Sequence, residues 1–133
     1  MKNNKELAQQ LRVGNLLYYK NTKDVAKVEL IHNNHFDCRD EYGSFTPNGN
    51  YEPIPLTEEI LLKLGFEFNK KYYHSKYIKY LIKLIYDFDQ RILYFKYKGE
   101  FSPMIQIPKT IEYLHELQNL YHALTGQELK IEL

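Results

Sequence analysis

The chain has one cysteine, Cys38, and no tryptophan. A single thiol excludes an internal disulfide and suits a reducing compartment. Long apolar runs are missing as well: Lys or Asp breaks each within a few residues, far short of the roughly 20 that a membrane span needs. The opening residues Met1 to Lys5 are polar and carry no signal-peptide core, so the expected place of action is the cytoplasm, with no membrane partner. The six glycines are scattered at turns and helix ends. None forms G-x-x-x-x-G-K-[ST], G-x-G-x-x-G or G-x-S-x-G, which leaves out the phosphate-cradling loops and the nucleophile elbow. No internal repeat, low-complexity stretch or dividing linker is visible, and 133 residues suit a single domain, 1–133, with one core.

What is present is charge segregation. Residues 69–98 hold eight basic residues against Asp87 and Asp89, a local +6, and seven of the thirteen tyrosines. Residues 1–68 carry −2 and residues 99–133 carry −3, so the overall +1 hides a polarised molecule. Such a block attracts polyanions or an acidic protein surface, and interleaved tyrosines can stack on bases or anchor an interface.

Hydrophobic spacing predicts an α+β fold. Leu7, Ala8 and Leu11 fit a helix over residues 3–12. Branched and aromatic residues at 16–20 and 25–32 predict a hairpin turning at 21–24, with strands at 35–40 and 44–46 following. Thr57 caps a helix through residue 64, with Glu58 and Glu59 in its first turn, a Leu56–Leu61 staple and a stop at Gly65. Residues 78–86 fit both a helical stripe and a strand face; the turn-like Asp87-Phe88-Asp89-Gln90 and the β-formers at 92–98 decide for an antiparallel hairpin. Residues 104–107 add a strand. A helix over 110–125, capped by Thr110 and stopped by Gly126, presents Ile111, Leu114, Leu117, Tyr121 and Leu124. The expected architecture is a bent antiparallel sheet, in one form a partly open SH3-like barrel, with the short helix and the C-terminal helix packed on it.

Catalytic signals are thin. His115-Glu116-Leu117-Gln118-Asn119 begins like the zincin motif but has Asn where the second histidine must stand, so His115 reads as a surface histidine of the helix. His32, His35 and Cys38 are metal-capable, yet in a strand residues 32 and 35 point to opposite faces. Cys38 reads as buried and inert, and Asp37, Asp40, Glu41, Asp87 and Asp89 read as turn residues. No catalytic residue, metal or cofactor is expected.

The basic hairpin is different, because alternation sorts it. Tyr77, Lys79 and Lys83 on one strand and Tyr94, Lys96 and Lys98 on the next share a face. Lys70, Lys71, Tyr72, Tyr73 and Lys76 extend it from the preceding loop. These eleven residues form the candidate partner surface. The plainer reading is a solvated sheet face whose tyrosines lie over lysine stems.

Three stretches carry a resemblance: Leu11-Arg12-Val13-Gly14-Asn15, then residues 50–66 (Asn50-Tyr51-Glu52-Pro53-Ile54-Pro55-Leu56-Thr57 through Gly65-Phe66), then residues 114–126 from Leu114-His115-Glu116 to Leu124-Thr125-Gly126. Together they resemble a family of small proteins of Bacteroidetes phages and prophages, over nearly the whole chain. That family offers no catalytic residues to carry over, so the motifs imply shared architecture. The chain is also similar to anti-CRISPR proteins of flavobacterial prophages, inhibitors of a type VI-B RNA-guided RNA nuclease among them. The resemblance implies a non-enzymatic inhibitor in the host cytoplasm whose partner is a CRISPR effector or its ribonucleoprotein, with direct RNA contact at the basic face as an extension. The alternative is a phage accessory protein that binds nucleic acid directly.

Overall fold

Among the described residues, alternating branched and aromatic residues build two antiparallel sheets of five strands each, in an α+β fold with three helices, one of them near the C-terminus, and one sheet curled into a half-barrel. The computed structural model describes residues 4–33, 35–47, 50–78, 81–99 and 101–133. They cluster into two compact units, the first reaching Pro55 and including Tyr113–Leu129, the second Leu56–Glu112 with Lys130–Leu133.

In the first unit the strands β1 (Leu16–Tyr19), β2 (Val25–Ile31), β3 (Phe36–Asp40), β4 (Phe45–Pro47) and β5 (Tyr51–Glu52) lie in the order β4-β3-β2-β1-β5. The expected 21–24 turn is present. Asn21 takes a φ of 64°, and the Thr22 hydroxyl donates to the Tyr19 carbonyl at 2.8 Å while accepting from the Asp24 N–H at 3.1 Å. Leu17, Ala26, Val28, Phe36, Cys38 and Tyr51 project inward onto Leu7 and Ala8 of α1 (Asn4–Ala8), and Leu11 packs beside them. The first helix is shorter than residues 3–12: Gln10 N–H already bonds back to the Leu7 carbonyl, and the chain must turn at Gly14, with φ 99°, to enter β1.

The helix α3 (Leu114–Thr125) also belongs to this unit. Thr110 is not its cap. Residues 111 and 112 are held extended, Ile111 N–H donating to the Arg91 carbonyl and the Glu112 carbonyl accepting from Leu56 N–H, so the helix begins only after Tyr113, whose N–H the Glu116 carboxylate accepts at 3.1 Å. Gly126 closes it with φ 71°, the left-handed cap that glycine tolerates. Leu114, His115, Leu117 and Gln118 are buried, whereas Tyr121 and Leu124 are half-buried.

A polar clasp fastens α3 to the start of β1. Asn15 is fully buried; its Oδ1 accepts from Arg12 N–H at 2.7 Å and its Nδ2 donates to Asn119 Oδ1 at 2.8 Å. Gln118 Oε1 accepts from Leu16 N–H at 3.0 Å, and Asn119 Nδ2 donates to the Gln10 carbonyl at 2.9 Å. Arg12 forks onto Glu128. Residues 12–16 are thus tied to Gln118, Asn119 and Glu128.

In the second unit α2 (Glu58–Lys63) starts as expected: Thr57 Oγ1 accepts from Ile60 N–H at 3.2 Å, Leu56 and Leu61 are both buried, and Gly65 turns the chain at φ 91°. The strands β6 (Glu67–Asn69), β7 (Tyr72–His74), β8 (Ile82–Asp87), β9 (Ile92–Tyr97) and β10 (Ile105–Gln106) follow in the order β10-β9-β8-β7-β6. The strand reading of 78–86 holds, but β8 starts at Ile82, because Ile78 N–H bonds the Ile82 carbonyl at 2.6 Å and closes a tight turn. Residues 72–74 form a strand rather than a loop, entered through Lys70 at φ 62°. Leu84, Tyr86 and Leu93 are fully buried, and the Tyr86 hydroxyl donates to the Ile111 carbonyl. Among the described residues no helix is long and apolar enough to cross a membrane.

Candidate docking face

The register of the second sheet decides which side chains share a face. Lys83 stands directly opposite Lys96, Ile85 opposite Tyr94 and opposite His74, and Glu67 opposite His74 on the far side. Because alternate residues share a face, Tyr72 and His74 of β7, Lys83 and Ile85 of β8, and Tyr94 and Lys96 of β9 lie on one side of the sheet. Tyr73, Leu84, Tyr86 and Leu93 lie on the other and are buried.

Ser75 fixes the alignment where β7 ends. Its N–H donates to the Leu84 carbonyl and its hydroxyl accepts from Leu84 N–H, both at 2.9 Å, which places His74 beside Lys83. The turn at Ile78 then brings Tyr77 back over the face. Its ring has Lys83 Nζ at 5.5 Å and Lys98 Nζ at 6.0 Å from the centroid. At the other end Lys71 Nζ sits 5.4 Å from the Tyr72 ring, which meets the edges of Tyr94 at 6.1 Å and His74 at 6.4 Å. An aromatic row thus runs between ammonium groups. Cation–π contact steadies the lysines without neutralising them, and among the described residues no ion pair to Lys70, Lys71, Lys76, Lys83, Lys96 or Lys98 is found.

His74 belongs to this site although sequence reasoning passed it over. Burial pushes its pKa down first, and the charges of Lys83 and Lys96 push it further, so the ring is held neutral. Its Nδ1 is buried with no hydrogen-bond partner. Alternation with Tyr72 would have placed it, had 72–74 been read as a strand.

Of the residues expected to form the face, the structure brings Lys71, Tyr72, Tyr77, Lys83, Tyr94, Lys96 and Lys98 together. Lys70 occupies the β6–β7 turn and Lys76 the segment after β7, both exposed. Tyr73 turns to the opposite side, 5% exposed, against Phe68 and Phe88, since it neighbours Tyr72 in a strand. Lys79 lies outside the described residues.

The other candidate groups resolve into structure. His32 and His35 do not point apart: they flank the β2–β3 turn and stack at 4.2 Å, with His32 Nε2 3.4 Å from the buried Asp37. Asp37 itself is a strand residue, whereas Asp40 serves its turn, accepting from Tyr42 and Ser44 N–H groups, and Asp87 accepts from Gln90 N–H. Cys38 is buried and its thiol is pushed up to about 12, chiefly by burial. His115 is not a surface histidine. It is fully buried and stacks on Tyr113 with ring centroids 5.9 Å apart, on the face of α3 that also buries Leu114 and Gln118. Among the described residues no group of three or more His, Cys, Asp or Glu is placed to hold a metal ion.

Comparison with protein-family models, with curated proteins and with solved structures yields no match.

Proposed function

We infer that this chain is a non-enzymatic inhibitor that docks through the cationic, tyrosine-lined face of the second sheet. Its partner is a bacterial RNA-guided nuclease effector or that effector's ribonucleoprotein, whose guide or target RNA binding it perturbs. The observation that carries the docking part is the direct opposition of Lys83 and Lys96, with Lys98 just beyond the end of β9. Like charges facing each other across a ladder destabilise a sheet. A face needing only to be wet would be served as well by Ser, Thr or Gln, whereas a partner of opposite charge turns the repulsion into binding energy. The class of partner comes from the resemblance of residues 11–15, 50–66 and 114–126 to a family of small phage and prophage proteins, together with the chain's similarity to anti-CRISPR proteins of flavobacterial prophages.

The test combines the chain with a guide-loaded type VI-B effector. Co-elution in size-exclusion chromatography, with loss of target-RNA cleavage at near-equimolar ratio, is the expected result. Separate elution and undiminished cleavage at large molar excess would remove this reading.

A further inference from the structure

Lys83, Lys96 and His74 converge on one spot of the second sheet. Lys83 and Lys96 are cross-strand neighbours, and side chains so paired have Cβ atoms about 5 Å apart. His74 stands opposite Ile85, so Lys83 and Lys96 are its diagonal neighbours on the same face. Three nitrogen groups able to donate to an anion therefore face the same small volume, with Tyr72 and Tyr94 on one flank and Tyr77 on the other. Lys96 lies in β9 and Lys98 in the bend just after it, at most roughly 7 Å further along the chain, a spacing of the same order as that between successive phosphates of a nucleic-acid strand.

We propose that this cluster is a phosphodiester-binding site, in which Lys83, Lys96 and His74 grip one phosphate of single-stranded RNA, Lys98 meets the next, and Tyr77 and Tyr94 offer ring surface to the bases. The proposal rests on the docking reading above and deepens it: what the face touches in the ribonucleoprotein is its RNA. Single-stranded RNA is the occupant the chemistry favours. A groove that tracks a backbone with ammonium groups and stacks bases on aromatic rings suits unpaired nucleotides, whose faces are free. An acidic protein surface could also engage lysines and tyrosines, but it offers no succession of flat faces strung between evenly spaced anions. A phosphate beside His74 also favours its protonated form, so binding takes up a proton. The groups facing His74 are Tyr72 on its own strand, Lys83 and Ile85 on β8, Tyr94 and Lys96 on β9, and the exposed Glu67 on β6.

Fluorescence anisotropy of a labelled 12-nucleotide oligouridylate with the full chain tests this, from 25 to 200 mM salt and at pH 6 and 8. The expected result is binding that weakens steeply with salt, with a log–log slope that loses about 0.7 for each of Lys83→Gln and Lys96→Gln. Affinity should be several-fold higher at pH 6 than at pH 8, and His74→Gln should abolish that pH dependence while keeping most of the pH 8 affinity. Poly-L-glutamate of similar charge should compete poorly. Absence of RNA binding at 25 mM salt, slopes unchanged in the folded lysine variants, or poly-L-glutamate competing as well as RNA overturns the proposal. The two readings separate in the effector assay. Lys83→Gln and Lys96→Gln variants that lose RNA binding yet still inhibit remove this proposal and move docking off this face, leaving the inhibitor activity standing; RNA binding without effect on the effector removes the inhibitor reading and leaves this one.

Discussion

Replacing Asn15 with Ala should cost about 3 kcal/mol, and the clasp geometry says why. Asn15 is fully buried and joins Arg12 N–H, Asn119 Oδ1 and, at 3.5 Å, Gln118 Oε1. Truncation removes hydrogen bonds with a net contribution of about 0.5–1.5 kcal/mol each and leaves buried partners unsatisfied, which raises the cost towards the upper end. Asn15→Asp separates donor from acceptor. The carboxylate still accepts from Arg12 N–H but turns a negative oxygen towards the oxygens of Gln118 and Asn119. Flipping the Asn119 amide to help would sacrifice its 2.9 Å bond to the Gln10 carbonyl. The aspartate variant should therefore be less stable than the alanine variant at pH 7 and recover as the carboxyl protonates at lower pH. Urea unfolding followed by circular dichroism at pH 7 and pH 5 measures both. A loss below about 1 kcal/mol for Asn15→Ala, or Asn15→Asp as stable as the alanine variant at pH 7, would refute the clasp.

Cys38, with its thiol pushed up to about 12, should react with Ellman's reagent at pH 8 only after unfolding in urea, and prompt reaction of the native protein would contradict its burial. Arg12 holds the Glu128 carboxyl below its usual value, so this pair stabilises above the unfolded carboxylate's pKa and the contribution is lost as pH falls through the lowered folded value. The pair is partly exposed, so Arg12→Gln should cost less than about 1 kcal/mol at pH 7 and almost nothing at pH 2.5, read from thermal melts. Gly126→Ala, at φ 71°, should destabilise by about 1 kcal/mol in the same melts.

Four strands of the first sheet were legible because they are rich in branched and aromatic residues and bounded by polar turns such as 21–24, whereas the two-residue β5 carries too short a pattern to be read. The 57–65 helix was equally plain, since cap, staple and stop are all local signals. The β6–β7 hairpin was hidden for a physical reason: its left-handed turn position is held by Lys70, not by the glycine or asparagine that marks such a turn. Missing that hairpin concealed the opposite facings of Tyr72 and Tyr73 and left out His74. The start of α3 was misplaced because Thr110 is a good cap in isolation, while residues 111 and 112 are claimed by backbone bonds to Arg91 and Leu56, partners remote in sequence. The lysine pair at the heart of the face was readable from alternation, whereas its exact opposition depends on the β8–β9 register.

The central claim, that the second sheet's cationic face is the partner-binding surface, is tested most directly by calorimetric titration of the guide-loaded effector with the Lys83→Ser, Lys96→Ser, Lys98→Ser triple variant. Its melting temperature should stay close to that of the parent chain, since Lys98 is exposed, Lys83 and Lys96 are half-buried without an ion pair among the described residues, and relief of the Lys83–Lys96 repulsion works in the stabilising direction. The account predicts that this well-folded variant shows no heat of binding where the parent chain binds. Parent-like affinity in the same variant would contradict it and place the interaction on another surface.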